Sequence, residues 1–397
     1  MIGNNCIIRV IFAAVVFAVL VTVSCSKHKQ DIPILDLTEL PGTDYVSLFN
    51  GSDFTGWNIE PDKGAWIVEN GMIHCNGAPG IPYLILTERE YENFDFYAEF
   101  KVSKDCNTGI FYHVPLAGRQ SRIGFETQIL DDHGKIPDKN STGSIYDVVP
   151  PVMNAMKKAG KWNQYRIRFN WPVCEVWLNG FLVNEVNFAE NPELRYRLRS
   201  GFIGLSNHGY EADYRNLWIK TLPGKDMGAD IFNGENLDGW TIIGDADWHV
   251  DDGMIVSTKG SGYLVTDKDF DNVYFHAYVE CDTLQEYRSR FFYRWTGTDS
   301  PGYAADLYDF TDAVTYTEQY GDDIPPDIIR PDRSTWFFYR IISADRQSKV
   351  FLNEFITSEN RLLGKPPHGK IAIYRDNEDG IIRLKRLCLR PLEGPGI

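Results

Sequence analysis

The strongest constraint on this chain is that its first half is written again in its second half. LFNGSDFTGW (Leu48 to Trp57) returns as IFNGENLDGW (Ile231 to Trp240), and WIVENGMI (Trp66 to Ile73) as WHVDDGMI (Trp248 to Ile255). WNQYRIRF from Trp162 returns as WFFYRIIS from Trp336, and VWLNGF (Val176 to Phe181) as VFLNEF (Val350 to Phe355). The marks keep their order at an offset of roughly 170–185 residues, which predicts two domains of one fold arising by duplication. A period this long is no solenoid unit, so each copy should bury its own core. The duplication is also an internal control. A residue type kept in both copies points to structure; one kept in a single copy is a candidate for function.

Local patterns give the fold class. Phe94 to Val102, Tyr165 to Phe169 and Cys174 to Leu178 alternate apolar and polar residues, as half-buried strands do. Asn179-Gly180 predicts a tight hairpin with Phe181 to Val183 returning, and Asn50-Gly51 and Asn70-Gly71 mark further turns. The one helix-like stretch is Val152 to Ala159. Short strands and Gly- and Asn-rich turns predict an all-β chain: two tandem jelly-roll β-sandwiches, over residues 44–223 and 227–393.

The N-terminus reads as an export signal over residues 1–24. Ile7 to Val23 is almost wholly apolar, Arg9 is a weak positive mark, and Val23-Ser24-Cys25 resembles a bacterial lipoprotein cleavage box. That resemblance implies cleavage before Cys25, its lipidation, a tether over residues 25–43 and attachment to the bacterial cell envelope, periplasmic or at the outer surface. The competing reading is a transmembrane anchor, for which the run is short. Cys75, Cys106, Cys174, Cys281 and Cys388 remain. They do not match between the copies and form no disulfide framework, so each is expected to be a buried small apolar residue. No CxxC or HExxH motif occurs. The net charge of -15 argues against nucleic acid or an anionic membrane face as a partner.

Copy one carries a polar cluster on its strands. Glu126 and Gln128, two apart, share one sheet face, while Thr127 and Ile129 take the other. A carboxyl beside an amide is costly if buried dry and makes sense on a wet concave wall. Asn107, His113, Asp131, Asp132, His133, Tyr146, Lys161, Trp162 and His208 complete the set of candidates.

NTGIFY, FETQILDD, STGSIYD, GKWNQYRI, VWLNGFLV and NHGYEADYRNLWIK, following LFNGSDFTGW, together resemble the 3-keto-disaccharide hydrolase domain family. The resemblance spans about Tyr45 to Leu222, and more weakly Asp230 to Leu392. It implies a concanavalin A-like jelly roll acting on glycosides oxidised at C3. The chemistry then follows. The ketone acidifies the C2 proton, a base removes it, and the C1 substituent leaves by β-elimination; water can add back across the new double bond. The route differs from the two-carboxylate mechanism of ordinary glycosidases. It asks for a base near C2, a positive or proton-donating group at the C3 oxygen, and an acid for the leaving oxygen.

On this reading Glu126 or His133 is the base, and His208 and Lys161 are acid and enolate stabiliser. Asn107, His113, Gln128 and Tyr146 bind sugar hydroxyls, and Trp162 stacks on a ring. Asp131 orients the base or holds a divalent cation; no cofactor is assured. Bland readings compete. Trp162 has a counterpart in Trp336, which suits packing. Arg215-Asn216 suits anchoring of the last strand, Asp132 suits a turn cap, and His208 suits a structural histidine. His113 stands where the family usually has arginine, and Ser206 where it commonly has glutamine. In copy two Ala304 replaces Glu126, His133 and His208 have no evident match, and Arg294 holds the family's arginine. Copy two therefore reads as a sandwich with its site dismantled, whose Tyr303, Tyr316 and Tyr320 bind glycan or pack on copy one. The expected partners are a glycoside or oligosaccharide, a membrane through the lipid, and a sugar-oxidising enzyme. The alternative to catalysis is a carbohydrate-binding lipoprotein, since fold does not determine function.

Overall fold

The computed structural model describes residues 32–37, 42–59, 64–78, 83–224, 228–281, 289–299, 302–306, 336–361, 368–376 and 380–392. Cys25, the export signal, Tyr316 and Tyr320 lie outside them.

The alternating patterns fold into two β-sandwiches of the same topology. In the first, one sheet runs, in spatial order, Phe181–Asn187, Val173–Leu178, Asn163–Asn170, Phe94–Val102, Glu211–Thr221, Met72–Asn76, Trp66–Glu69, with Val46–Ser47 paired to Glu211–Thr221. The facing sheet runs Trp57–Asn58, Leu84–Tyr91, Gly201–Ser206, Asn107–Val114, Phe125–Leu130. In the second sandwich the order recurs strand for strand. The large sheet is Phe355–Arg361, Gln347–Leu352, Phe337–Ala344, Val273–Cys281, Ile382–Pro391, Met254–Ser257, His249–Asp251, and the small one Trp240–Gly244, Gly262–Thr266, Lys370–Arg375, Arg290–Trp295, Tyr303–Asp306. Each sandwich packs its own core between its sheets, as a period of this length requires.

Residues kept in both copies do the same structural work. Trp57 Nε1 donates to Leu48 O at 2.6 Å and Trp240 Nε1 to Ile231 O at 2.7 Å. Asn179 and Asn353 hold left-handed φ values of 52° and 51° at their hairpins, and their Oδ1 atoms accept the backbone N–H of Gln164 and Phe338. Cys75, Cys106 and Cys174 are buried free thiols, as expected; Cys388 is half-buried.

Two local expectations differ. Val152 to Ala159 is not helical. Its backbone donors are drawn to side chains and to another strand instead of to helical carbonyls: Val152 N–H to Val183 O at 2.9 Å, Met156 N–H to Asn154 Oδ1 at 2.9 Å, Lys157 N–H to Asn163 Oδ1 at 2.9 Å. The helix among the described residues is instead the four-residue Gln120–Ile123, and no described helix is long and apolar enough to cross a membrane. Part of the expected tether is also docked: Leu35 N–H donates to Gly180 O at 2.7 Å, Leu182 N–H to Pro33 O at 3.1 Å, and Leu37 is buried.

Candidate functional site

The site lies on the face of the small first-copy sheet turned away from the core. Along Phe125–Leu130 the two-residue alternation sends Phe125 and Ile129 into the core and leaves Glu126 and Gln128 on the opposite face. On the neighbouring strand, Asn107, Gly109 and Phe111 share that outer face. Register pairs Gly109 with Gln128 and Phe111 with Glu126. A Cβ on Gly109 would stand 2.4 Å from Glu126 Oε1, so glycine there makes room for the carboxyl.

The loop ahead of Phe125 and its short helix fold over this face. The result is a cavity of about 210 Å³ lined by Tyr83, Asn107, Phe111, Arg119, Gln120, Ser121, Glu126, Gln128, Tyr146 and His208. Five of the residues expected from sequence, Glu126, His208, Asn107, Gln128 and Tyr146, come together here. Glu126 is 3% exposed, and among the described residues no side chain hydrogen-bonds its carboxyl. Burial pushes its pKa up to about 8, partly offset by the Arg119 guanidinium. His208 Nε2 lies 2.7 Å from Tyr83 Oη, the rings edge to face at 4.7 Å. Burial lowers the His208 pKa and raises that of Tyr83, so both are held neutral. Asn107 Oδ1 is buried, has no hydrogen-bond partner among the described residues and belongs to a residue lining the cavity, an acceptor waiting for a donor.

The remaining sequence candidates sit elsewhere. His113, expected to bind substrate, is fully buried between the sheets. Its left-handed backbone (φ 52°) is a bulge that breaks the alternation, so Tyr112 and His113 both face the core. The ring packs 4.4 Å from that of Phe169, its Nε2 meets Glu92 O at 2.6 Å, and burial pushes its pKa down to about 3. Arg294 occupies the same bulge in copy two, also at φ 52° and buried. Gly201 and Gly369 crowd the two bulges equally, with a Cβ at 2.6 Å and 2.5 Å from the bulge carbonyl carbon. The position is architectural in both copies.

His133, Lys161 and Trp162 do not line the cavity either. His133 is exposed and its Nδ1 meets Met156 O at 2.6 Å. Lys161 is exposed, its carbonyl accepting from Asn163 Nδ2 at 3.0 Å. Trp162 stands just ahead of the strand Asn163–Asn170 of the opposite, large sheet, and Arg215 lies over its ring at 3.9 Å. Trp336 repeats this with Lys385 at 3.8 Å, so the Trp–cation contact is kept in both copies, as a packing role would require. Asp131 accepts the Asp105 N–H at 3.0 Å. Asp132 is buried and holds Thr142 through N–H and Oγ1, both at 2.8 Å. Asp131, Asp132 and His133 thus serve three separate partners. Among the described residues no group of three His, Cys, Asp or Glu could hold a metal. Sequence reasoning missed Tyr83, Phe111, Arg119, Gln120 and Ser121. Arg119 could have been found as a cation just ahead of FETQILDD, absent from any paired strand pattern.

Copy two keeps the frame and lacks the carboxyl. Ala304 pairs with Phe292 as Glu126 pairs with Phe111, and Arg290 pairs with Asp306 where Gly109 pairs with Gln128. The glycine that accommodates the carboxyl is gone with the carboxyl itself. In its place the face is aromatic: Tyr263, Phe292, Trp295 and Tyr374 cluster there, Tyr263 and Tyr374 with ring centroids 4.8 Å apart.

A 3-keto-disaccharide hydrolase of Bacteroides thetaiotaomicron is 27% identical to this chain over 256 residues, which cover 51% of this chain and 87% of the relative. Two solved structures of glycosyl hydrolase candidates from Parabacteroides distasonis are similar as well. One is 26% identical, covering 48% of this chain and 100% of the other with a TM-score of 0.42. The second is 25% identical, covering 45% and 99% with a TM-score of 0.40. The model of the 3-keto-alpha-glucoside-1,2-lyase-like domain matches residues 44–220 and again residues 229–387, so this chain belongs to that family, in two tandem copies.

Proposed function

We propose that this protein, a glycoside-acting enzyme by family, cleaves 3-keto-glycosides by elimination in its first sandwich. The observation that carries the reading is Glu126: a buried carboxyl free of side-chain partners, pushed up to about 8, on the wall of a cavity. A base with its pKa near the working pH is what abstraction of a C2 proton needs. Arg119 supplies positive charge for the oxyanion that develops at C3. The neutral Tyr83–His208 pair supplies a proton to the departing C1 oxygen, and Asn107, Gln128 and Tyr146 accept or donate to sugar hydroxyls. Glu126 carries off the C2 proton, the C1–O bond breaks, and the products are the free aglycone and an unsaturated 3-keto sugar. Addition of water across C1 and C2 would complete a hydrolysis. The substrate's ketone implies a sugar-oxidising enzyme upstream.

The test is turnover of a 3-keto-glucoside with product mass spectrometry. Wild type is expected to release aglycone with kcat/KM rising as pH passes about 8. Glu126→Gln is expected to lose roughly 10²–10⁴-fold in kcat while still binding. Binding of plain glycosides without release from any 3-keto substrate would instead identify a carbohydrate-binding protein.

We also propose a lipid anchor at Cys25 on the envelope, on the strength of the apolar run ending in Ser24-Cys25. Cys25→Ser should shift the protein from the membrane to the soluble fraction of lysed cells; unchanged membrane association counts against the anchor.

A further inference from the structure

Glu354 is out of place by the standard of the duplication. The first-copy hairpin turns on Asn179-Gly180, at φ 52° and 88°. In the second copy Asn353 keeps the left-handed conformation, while Glu354 stands where the first copy has Gly180 and lacks that glycine's left-handed φ. Its carboxylate takes its own backbone N–H and also a bond from beyond the hairpin. Its Oε2 reaches out of its own sandwich and accepts the backbone N–H of Arg119 at 3.2 Å.

Arg119 stands immediately before the helix Gln120–Ile123, and it caps that helix with no side-chain bond of its own. The same segment carries Arg119, Gln120 and Ser121 into the cavity. Asn353 also crowds the segment, leaving no room for a side chain on Gly118. A further anchor comes from the second sandwich. Leu116 N–H donates to Tyr278 Oη at 2.9 Å. Ile123, at the far end of the helix, is buried with Leu198 against Phe338 and Phe351. One wall of the first-copy site therefore leans on the second copy.

We infer that the second sandwich serves as a brace for the catalytic site of the first, with Glu354 the positioning residue that holds Arg119 by its backbone. The dismantled copy retains a function because the site needs its cation in one place. A displacement of about 1 Å of such a group can lower turnover by about 10²-fold. The role of Arg119 in turnover rests on the elimination reading above; the bracing itself does not.

The test uses the full chain with Glu354→Ala and Glu354→Gln. Amide hydrogen exchange over residues 115–123 is the first measurement. It is expected to quicken about tenfold in the alanine variant and to stay within about twofold of wild type in the glutamine variant, whose carbonyl accepts the same bond. Turnover of a 3-keto-glucoside is the second. It is expected to fall about tenfold in kcat, with KM little changed, for alanine and to be rescued by glutamine. Exchange in the alanine variant equal to wild type overturns the inference, as does a glutamine variant that exchanges as fast as alanine. If wild type itself cleaves nothing, the elimination reading fails while the exchange comparison still decides the brace.

Discussion

Glu126 sits at 3% exposure with no side-chain partner for its carboxyl among the described residues, an arrangement that burdens folding whenever the group is charged. The groups facing it are Arg119, Tyr83, Tyr146 and His208, and only Arg119 favours its charged form. Unfolded, it releases its proton near 4.5; folded, it keeps the proton up to about 8. Between those values the native state binds more protons than the unfolded one, so stability falls as pH rises through that window. Glu126→Gln removes this dependence. Melting temperatures measured from pH 4 to pH 9 should show the glutamine variant gaining several degrees on wild type between about pH 4.5 and 8, then a constant difference. A difference that stays flat across the window would mean that the carboxyl is not buried as described. Gly109 leaves room for the Glu126 carboxyl in copy one, and copy two has Arg290 and Ala304 at the matching positions, so the carboxyl and the space for it are present or absent together.

Hairpins and bulges are the elements that the duplication preserves most faithfully. The Asn179 turn joins Val173–Leu178 to Phe181–Asn187, and its side chain does more than turn the chain. Oδ1 accepts Gln164 N–H at 3.0 Å, and Nδ2 donates to Ala155 O and Asn163 Oδ1, both at 2.8 Å. Asn179→Ala loses these bonds and leaves a Cβ-bearing residue without local compensation at φ 52°. It should cost about 2–3 kcal/mol by chemical denaturation, whereas Asn179→Gly, relieved of the strain, should cost less. Equal losses for the two would show that the left-handed backbone carries no penalty. The bulge at His113 shows the opposite side of element-scale logic. Strict alternation puts that residue on the cavity face with Phe111, and a single left-handed residue turns it inward.

At the scale of the whole molecule, the described residues from Pro33 onward form one compact unit, although each sandwich has its own core. A third apolar cluster joins them, Ile123 and Leu198 from the first copy with Tyr274, Tyr278, Phe338, Ile342 and Phe351 from the second. Arg340 Nη1 donates across it to Tyr196 O at 3.0 Å, and Arg386 pairs with Glu90 at 2.9 Å. Cores that are separate but coupled should unfold together only while the coupling holds. Phe338→Ala, worth about 3–5 kcal/mol as a buried aromatic truncation, is expected to split one calorimetric transition into two. A single transition at lower temperature would show that the two cores are not independent.

The sequence alone determined the duplication, the all-β sandwich class and the strands Phe94 to Val102 and Cys174 to Leu178, the second of which the structure begins one residue earlier, because these rest on short-period alternation and local turn chemistry. It also placed Glu126 and Gln128 on one face, again a matter of two-residue spacing. Alternation does not say which of two sheets a strand joins, so it could not show that Lys161 and Trp162, just ahead of Asn163–Asn170, lie by the large sheet while the cavity lies on the small one. Nor does it register a bulge, which misplaced His113. Arg119 sits in a loop with no period at all. Its place beside Glu126, and its tie to Glu354 some 235 residues away, exist only once the second sandwich has packed against the first, because long-range contacts leave no local mark on the chain that makes them.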